Sequence, residues 1–402
     1  MSNQMSADKN ASMHRARNCL AVLTAAALLA TSAPAWPQGP AVDPAALAAY
    51  REKLVAYDRA HDAYAREAKA YWDAVTHKRR VRIAKRRHHE KITLTDYVLT
   101  QPPVYRGPPR PVSPLPLPPE RPRPPKPKKP KIPVEADFLK AAREVWSFVP
   151  ERPKSDAQFK RAYAKAARAA GLTRPQIVGI YAFETGGRGA YYTQAGLEPP
   201  GPGKHAISPA MGYNQLLSTN TVSLFGEHGK HFIALLERKA KTLTGARRAA
   251  FERKFAALKH MIAYCRSLPD SWRKYDEIAR FTKKGWGIHA AVLDIDVGPL
   301  LQVQKLLNSV NFAHYYHYYK PLTPAELELM NLTGDGNGID MVLMPQHYRE
   351  KVPTSNFFQR RGYARNPVAR RTKVVAGLIA EIQRHMDHNA AKPGARALAA
   401  AY

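Results

Sequence analysis

Between His77 and Lys131 the chain carries sixteen Lys/Arg side chains against only Glu90, Asp96 and Glu120, and proline dominates from Gln101 to Pro133. Proline fixes φ and removes a backbone donor, and the excess of like charge is self-repelling. The stretch is therefore expected to be an extended, polyproline-like spacer with no core of its own. It divides the sequence into a helix-forming segment before it and a remainder, from Val134 onward, long enough to build one hydrophobic core. The whole chain carries a formal charge of +31. A basic spacer binds polyanions by counterion release. Residues 77–131 are thus expected to meet anionic envelope polymers or lipid headgroups; a solvated spacer without a dedicated partner is the other reading.

Residues 43–76 read as one long helix, the core of a helical segment over 43–98 that ends in basic residues. Tyr50, Tyr57, Tyr64 and Tyr71 recur every seven residues, and Leu47, Leu54, His61, Ala68 and Val75 complete an a/d pattern. Such a stripe predicts self-association through 43–76, or a helix lying on another surface. Nearer the start, His14, Arg15 and Arg17 precede an apolar run from Cys19 to Thr31 and the small-residue site Ala33-Pro34-Ala35. This is the pattern of a secretory signal cleaved near Ala35, and the run is short for a membrane span; a retained anchor is the alternative.

Cleavage there removes Cys19 and leaves Cys265 alone. No intramolecular disulfide is then available, no Cys-based zinc site is visible, and no cofactor is expected. Export without disulfides fits a bacterial periplasm or secretion. It argues against nucleic acid as the partner of the basic charge, and no nucleic-acid-binding motif is present.

The fold class expected is mainly α. Amphipathic periodicity predicts helices over 136–147, 156–170, 220–243, 245–268, 323–332 and 366–388, within a domain spanning 134–390. Thr333 to Asp340 reads as a Gly/Asp turn that lacks the Glu of a calcium loop. Thr354 to Tyr363 reads as a turn-rich connector whose aromatics cover a cleft or fill core. The Ala-rich tail, 391–402, is expected to fray.

Inside that domain the informative stretch is Thr173-Arg-Pro-Gln-Ile-Val-Gly-Ile-Tyr-Ala-Phe-Glu184-Thr-Gly-Gly187. Thr173 and Gln176 form a capping box and Pro175 suits the first turn. Ile177, Ile180, Tyr181 and Glu184 share one stripe. A carboxylate that continues an apolar stripe is partly desolvated and its pKa rises, which is what a general acid near neutral pH requires. Gly186 and Gly187 then stop the helix with a left-handed cap. The plainer alternative is a helix-terminal Glu facing solvent or pairing with Arg188. Beyond a Gly/Pro-rich loop comes Ser208-Pro-Ala-Met-Gly212-Tyr213-Asn214-Gln215. A Gly-bearing turn admits a ligand close to backbone, and Tyr and amide side chains suit sugar.

These two segments resemble the lysozyme-like lytic transglycosylases, which carry a catalytic Glu followed by Ser at a helix end and then a Gly-Ala-x-Gly-Leu-Met-Gln segment. Here the first is Glu184-Thr185. The second is Pro209 to Gln215, with Ala210, Gly212 and Gln215 kept and Tyr213-Asn214 replacing Leu-Met. The family's third segment, Ala-Tyr-Asn-Ala-Gly, would correspond to Asp294-Ile-Asp296-Val-Gly298-Pro299, which lacks the Tyr and has Asp in place of Asn; a plain helix-to-loop boundary is the other reading. The resemblance covers roughly residues 136 to 300. It implies a lysozyme-like helical domain acting on peptidoglycan glycan strands, with Glu184 as acid and then base and the muramyl 6-hydroxyl attacking to give a 1,6-anhydro product. It places Ser208, Gly212, Tyr213, Asn214, Gln215 and Asp296 along the cleft, with Tyr191 or Tyr192 as stacking partners. A hydrolase would need a second carboxylate, for which Glu198, Asp294 and Asp296 are candidates. The reading from another class is a non-catalytic peptidoglycan-binding or envelope scaffold protein that keeps the fold.

Overall fold

The computed structural model describes residues 43–115, 132–197 and 204–402. The expected signal peptide, residues 116–131 of the proline-rich stretch and Glu198 lie outside the described residues. The helices in order are α1 (Pro44–Arg87), α2 (Glu135–Trp146), α3 (Asp156–Ala169), α4 (Arg174–Glu184), α5 (Ser218–Lys241), α6 (Gly245–Ser267), α7 (Trp272–Phe281) and α8 (Lys283–His289). There follow α9 (Gly298–Tyr315), α10 (Pro324–Thr333), α11 (Asp335–Val342), α12 (Gln346–Arg349), α13 (Arg360–Arg365), α14 (Pro367–Thr372), α15 (Val375–Ala390) and α16 (Pro393–Ala401). Among the described residues β pairing is limited to isolated bridges, such as Gln194 with Met211 and Met211 with Leu216. The fold is mainly α, as the periodicity predicts.

The chain forms two compact units. The described part of the first is 43–55 and 110–115, where Leu47, Tyr50 and Leu54 lie half-buried along one stripe of the helix. The second takes 56–109 and all described residues from 132 onward. Its core is a continuous set of apolar side chains from α2 through α16, with Phe138, Phe159, Ile177, Ile180, Leu301 and Leu327 fully buried. Each contributes about 1.5–3 kcal/mol relative to exposure.

The basic stretch departs from the expected spacer. Residues 78–87 continue α1, and the far end of its heptad stripe is spent within the chain: Ala68, Tyr71 and Val75 are buried. The Tyr71 hydroxyl meets the Ser355 hydroxyl at 2.6 Å. Arg82 is fully buried, donating to the Asp96 carbonyl and the Asn356 carbonyl, each at 2.9 Å, with its Nε 3.7 Å from Asp340. Its guanidinium lies 4.5 Å from the Tyr97 ring centroid. Arg86 pairs with Asp340 at 2.6 Å and Lys85 with Asp96 at 2.8 Å. Local charge counting hides this because the carboxylate that neutralises Arg82 and Arg86 stands more than 250 positions away in sequence.

Three other expectations are corrected. Residues 335–342 are helix α11 rather than a turn; Asp340 is engaged by α1, and Ile339 and Met341 are core. The C-terminal helix is broken at Lys373, whose φ of 61° separates α14 from α15. The tail is ordered as α16. Alanine favours helix, Ala395 and Leu398 are fully buried, and the Tyr402 hydroxyl donates to the Leu172 carbonyl at 2.7 Å. In the connector, Phe357 and Tyr363 fill core.

Replacing Arg82 by Met should lower stability by about 3 kcal/mol, since it leaves the Asp96 and Asn356 carbonyls without a donor and Asp340 with Arg86 alone. Urea unfolding followed by circular dichroism checks this; an unchanged midpoint would mean that the buried Arg82 contacts contribute nothing to stability.

Candidate active site

Helix α4 begins as its sequence dictates. Thr173 accepts from the Gln176 amide, and the Gln176 side chain accepts from the Thr173 amide at 2.8 Å. The Gln176 Nε2 also donates to the Leu322 carbonyl at 2.9 Å, which ties the start of α4 to the chain entering α10. Gly179 makes the close approach possible, because a Cβ there would stand 2.7 Å from Pro324 Cβ. At the other end Glu184 is the last helical residue, and Gly186 and Gly187 follow with φ of 62° and 72°. A Cβ on Gly187 would strike the Asn389 carbonyl oxygen at 2.2 Å, so α15 also closes on this terminus.

This packing sets α10 beside Glu184. Asn331 Nδ2 donates to Glu184 Oε1 at 2.8 Å. One turn earlier on α10, Glu328 is fully buried and lies against the Glu184 carboxyl. Treated as two carboxylates, they leave both Glu328 oxygens without a hydrogen-bond partner. Two carboxylates cannot bond to each other without a proton, and a buried unpaired carboxylate is strongly disfavoured. The arrangement is satisfied when Glu328 is protonated and donates to Glu184. Burial, and then the adjacent Glu184 charge, hold the Glu328 pKa well above the usual carboxylate range. Glu184 keeps part of its surface accessible, yet protein around its carboxyl pushes its pKa up to about 7, against the opposing effects of Glu328, Asn331 and the Lys305 charge from α9. The pair thus titrates as a unit whose first proton leaves near neutrality. Lys305 also acts on Glu227 of α5, an exposed carboxylate whose own pKa is raised by partial burial and by Asp270.

Glu328 and Asn331 were not among the residues singled out from sequence, although a signal existed. In Thr323-Pro-Ala-Glu-Leu-Glu-Leu-Met-Asn331, Glu326 is the capping-box residue of α10. Glu328 lies on the apolar side with Pro324, Ala325, Asn331 and Leu332 at its helical neighbour positions, so no cation is local to it.

The segment 208–215 packs against the base of α4. The Tyr213 ring stands edge-on to Tyr181, 4.9 Å between centroids, and is fully buried. Its hydroxyl donates to Asp156 Oδ1 at 2.7 Å, the same atom that accepts from the Tyr191 amide. Asn214 is also buried, taking the Tyr163 hydroxyl at 2.9 Å and donating to the Gln302 carbonyl. Neither side chain offers a face to a sugar; both hold the segment in the core. Gly212 is buried against the Gln302 amide, and Gln215 Nε2 is engaged by the Thr193 and Gly212 carbonyls. Ser208 is half-buried and accepts from the Ala210 amide. His289, fully buried and kept neutral by desolvation with its pKa lowered to about 4, lies 2.9 Å from the Pro209 carbonyl.

Tyr191 is stacked on Phe159 at 5.1 Å and engaged by Arg152, whereas Tyr192 is 44% exposed. Of the aromatics expected in a cleft, Tyr192 presents its ring. Asp296 lies between Lys254 and Lys239, and Asp294 is fully buried, accepting the Glu151 amide at 2.8 Å and facing Lys254 at 3.1 Å. These two carboxylates close the loop ahead of α9 and are not among the groups acting on Glu184. Among the described residues no cluster of His, Cys, Asp or Glu is arranged to hold a metal ion. Compared with known proteins, the chain matches no family model, no curated protein and no solved structure.

The pair has a signed consequence for stability. In the folded chain both carboxyls hold protons above pH 4.5, where an unfolded glutamate ionises. Folding is therefore favoured most below that pH and loses stability as pH rises through about 7, on the order of a few kcal/mol in all. Glu328→Gln should flatten this fall and be more stable than wild type in alkaline buffer. The slope from His289, which has the opposite sign, cancels in the comparison. Urea midpoints measured across pH check it; identical slopes for the two proteins would contradict a protonated Glu328.

Proposed function

We propose that the chain is an exported enzyme that cleaves peptidoglycan glycan strands as a lytic transglycosylase, with Glu184 as general acid and then general base. One observation carries the reading: a partly exposed residue at a helix end whose carboxyl is raised by burial to about 7 and lies against a buried, protonated neighbour. A group half-ionised near pH 7 is suited to give a proton to the glycosidic oxygen and to take one from the attacking hydroxyl. The mainly helical domain and the order of the Glu184 and 208–215 segments agree with the lysozyme-like resemblance. The expected signal sequence agrees with a substrate outside the cytoplasm.

The geometry favours transglycosylation over two-carboxylate hydrolysis. A retaining hydrolase separates its carboxyls by about 5 Å and an inverting one by roughly 6.5–9.5 Å, so that a sugar or a water fits between them. Glu328 is in hydrogen-bonding contact with Glu184 and fully buried, so it acts on the proton rather than on the sugar. Asp294 and Asp296 are tied to Lys254. Intramolecular attack by the muramyl 6-hydroxyl needs one proton-transferring carboxyl. The buried placement of Tyr213 and Asn214 assigns them to positioning the segment and leaves Tyr192 as the expected aromatic with an exposed ring.

Mass spectrometry of purified peptidoglycan after incubation with the protein tests the reading. Wild type should release anhydromuropeptides, and Glu184→Gln should lower the rate by roughly 10²–10⁴-fold. Reducing-end products without the anhydro group would make it a hydrolase and direct attention to Glu227 as second carboxylate. Sacculus binding without products from either protein would leave the non-catalytic binder. With Glu328→Leu, which removes the donor to Glu184, the acidic form should persist to higher pH, moving the upper limb of the pH–rate profile alkaline; an unmoved profile would uncouple Glu328 from the chemistry.

A further inference from the structure

A groove of about 770 Å³ runs along α1 between residues 101–106 and the α13–α14 corner, within the second unit and built from none of the residues discussed as catalytic. Its aromatic wall is Tyr64, Trp72 and Tyr105, all partly exposed. The rings are fixed by one another and by the core: Tyr64 meets Tyr105 edge-on at 5.5 Å, and Trp72 stands 5.4 Å from Tyr71 and 5.7 Å from Tyr363. Pro102 and Pro103 stiffen the strip between them.

The groove also carries Arg106, Arg360, Arg370 and Lys373 against the single carboxylate of Glu67. All four cations are exposed, and none forms an ion pair with a described residue. Unpaired cations are common on a chain of net charge +31; what sets these apart is that they stand around a set of fixed aromatic rings in one groove. A second hollow, of about 290 Å³, adjoins through Trp72 and Arg360 and contains Arg79, whose Nε is buried with no hydrogen-bond partner. Unpaired guanidinium groups beside flat, pre-fixed rings make a two-part recognition surface. The forks take carboxylates, and the ring faces take the apolar faces of sugars.

We propose that this groove binds an acidic glycan, a polysaccharide strand bearing carboxylates, with its sugar rings on Trp72 and Tyr105 and its carboxylates on Arg106 and Arg360. The site stands apart from cleavage and would hold the protein on an anionic polymer whether or not Glu184 is active.

Calorimetric titration of the full chain carrying Glu184→Gln separates the two ideas, with oligogalacturonate, polyphosphate and neutral dextran as probes. Oligogalacturonate should bind. Arg106→Gln with Arg360→Gln should weaken it roughly tenfold or more. Arg247→Gln with Arg253→Gln, two exposed arginines of α6, should leave it unchanged. Trp72→Leu should weaken oligogalacturonate while sparing polyphosphate, which has no ring to stack. Tyr105→Leu repeats the test at a residue outside the core, and circular dichroism verifies folding of each variant. No oligogalacturonate binding, dextran binding of equal strength, an equal loss from the α6 pair, or ring variants without effect would each overturn the proposal; the last two would reduce the groove to part of a generally basic surface.

Discussion

A fully buried carboxyl with no cation bonded to it is the most demanding feature of this chain, and the surroundings of Glu328 answer it with a proton. Holding Glu328 neutral is cheaper than burying its charge, and the proton then serves Glu184. The contact depends on α10 lying tightly on α4, which in turn depends on Gly179 beneath Pro324 and on the Gln176 bond to Leu322. The two carboxyls are therefore coupled through the packing of their helices. A change that loosens α10 should alter the acidity of Glu184 without touching it.

The same unit recruits the basic end of α1. Arg82 is satisfied by two carbonyls, a ring face and Asp340, so a residue that reads as part of a solvated charge run is a fully buried member of the fold. The helix then supplies one wall of the aromatic and cationic groove. The basic stretch thus takes part in packing through Arg82, Lys85 and Arg86, and Tyr105 and Arg106 line the groove.

Much of the fold was legible because its signals are local. The capping box at Thr173, the stripe ending in Glu184 and the glycine stop each act within one helix, and the structure has them where the sequence puts them. What was not legible depended on distant partners. Asp340 neutralises α1 from the far side of the chain, Glu328 meets Glu184 only once α10 is docked, and the Ala-rich tail is helical because α3 and α4 cover it. Tyr213 and Asn214 illustrate an ambiguity of residue type. A tyrosine has a large apolar body and a polar tip, so it serves a core with one good acceptor as readily as a sugar cleft. Asp156 supplied that acceptor.

The most direct measurement is the protonation of the two carboxyls themselves, by difference infrared spectroscopy of wild type, Glu184→Gln and Glu328→Gln across pH. A protonated-carboxyl band should persist above neutral pH and vanish in Glu328→Gln. A second should titrate near pH 7 in wild type and be missing from Glu184→Gln. Titration of both groups in the ordinary glutamate range would contradict the shared proton, and with it the acid–base role assigned to Glu184.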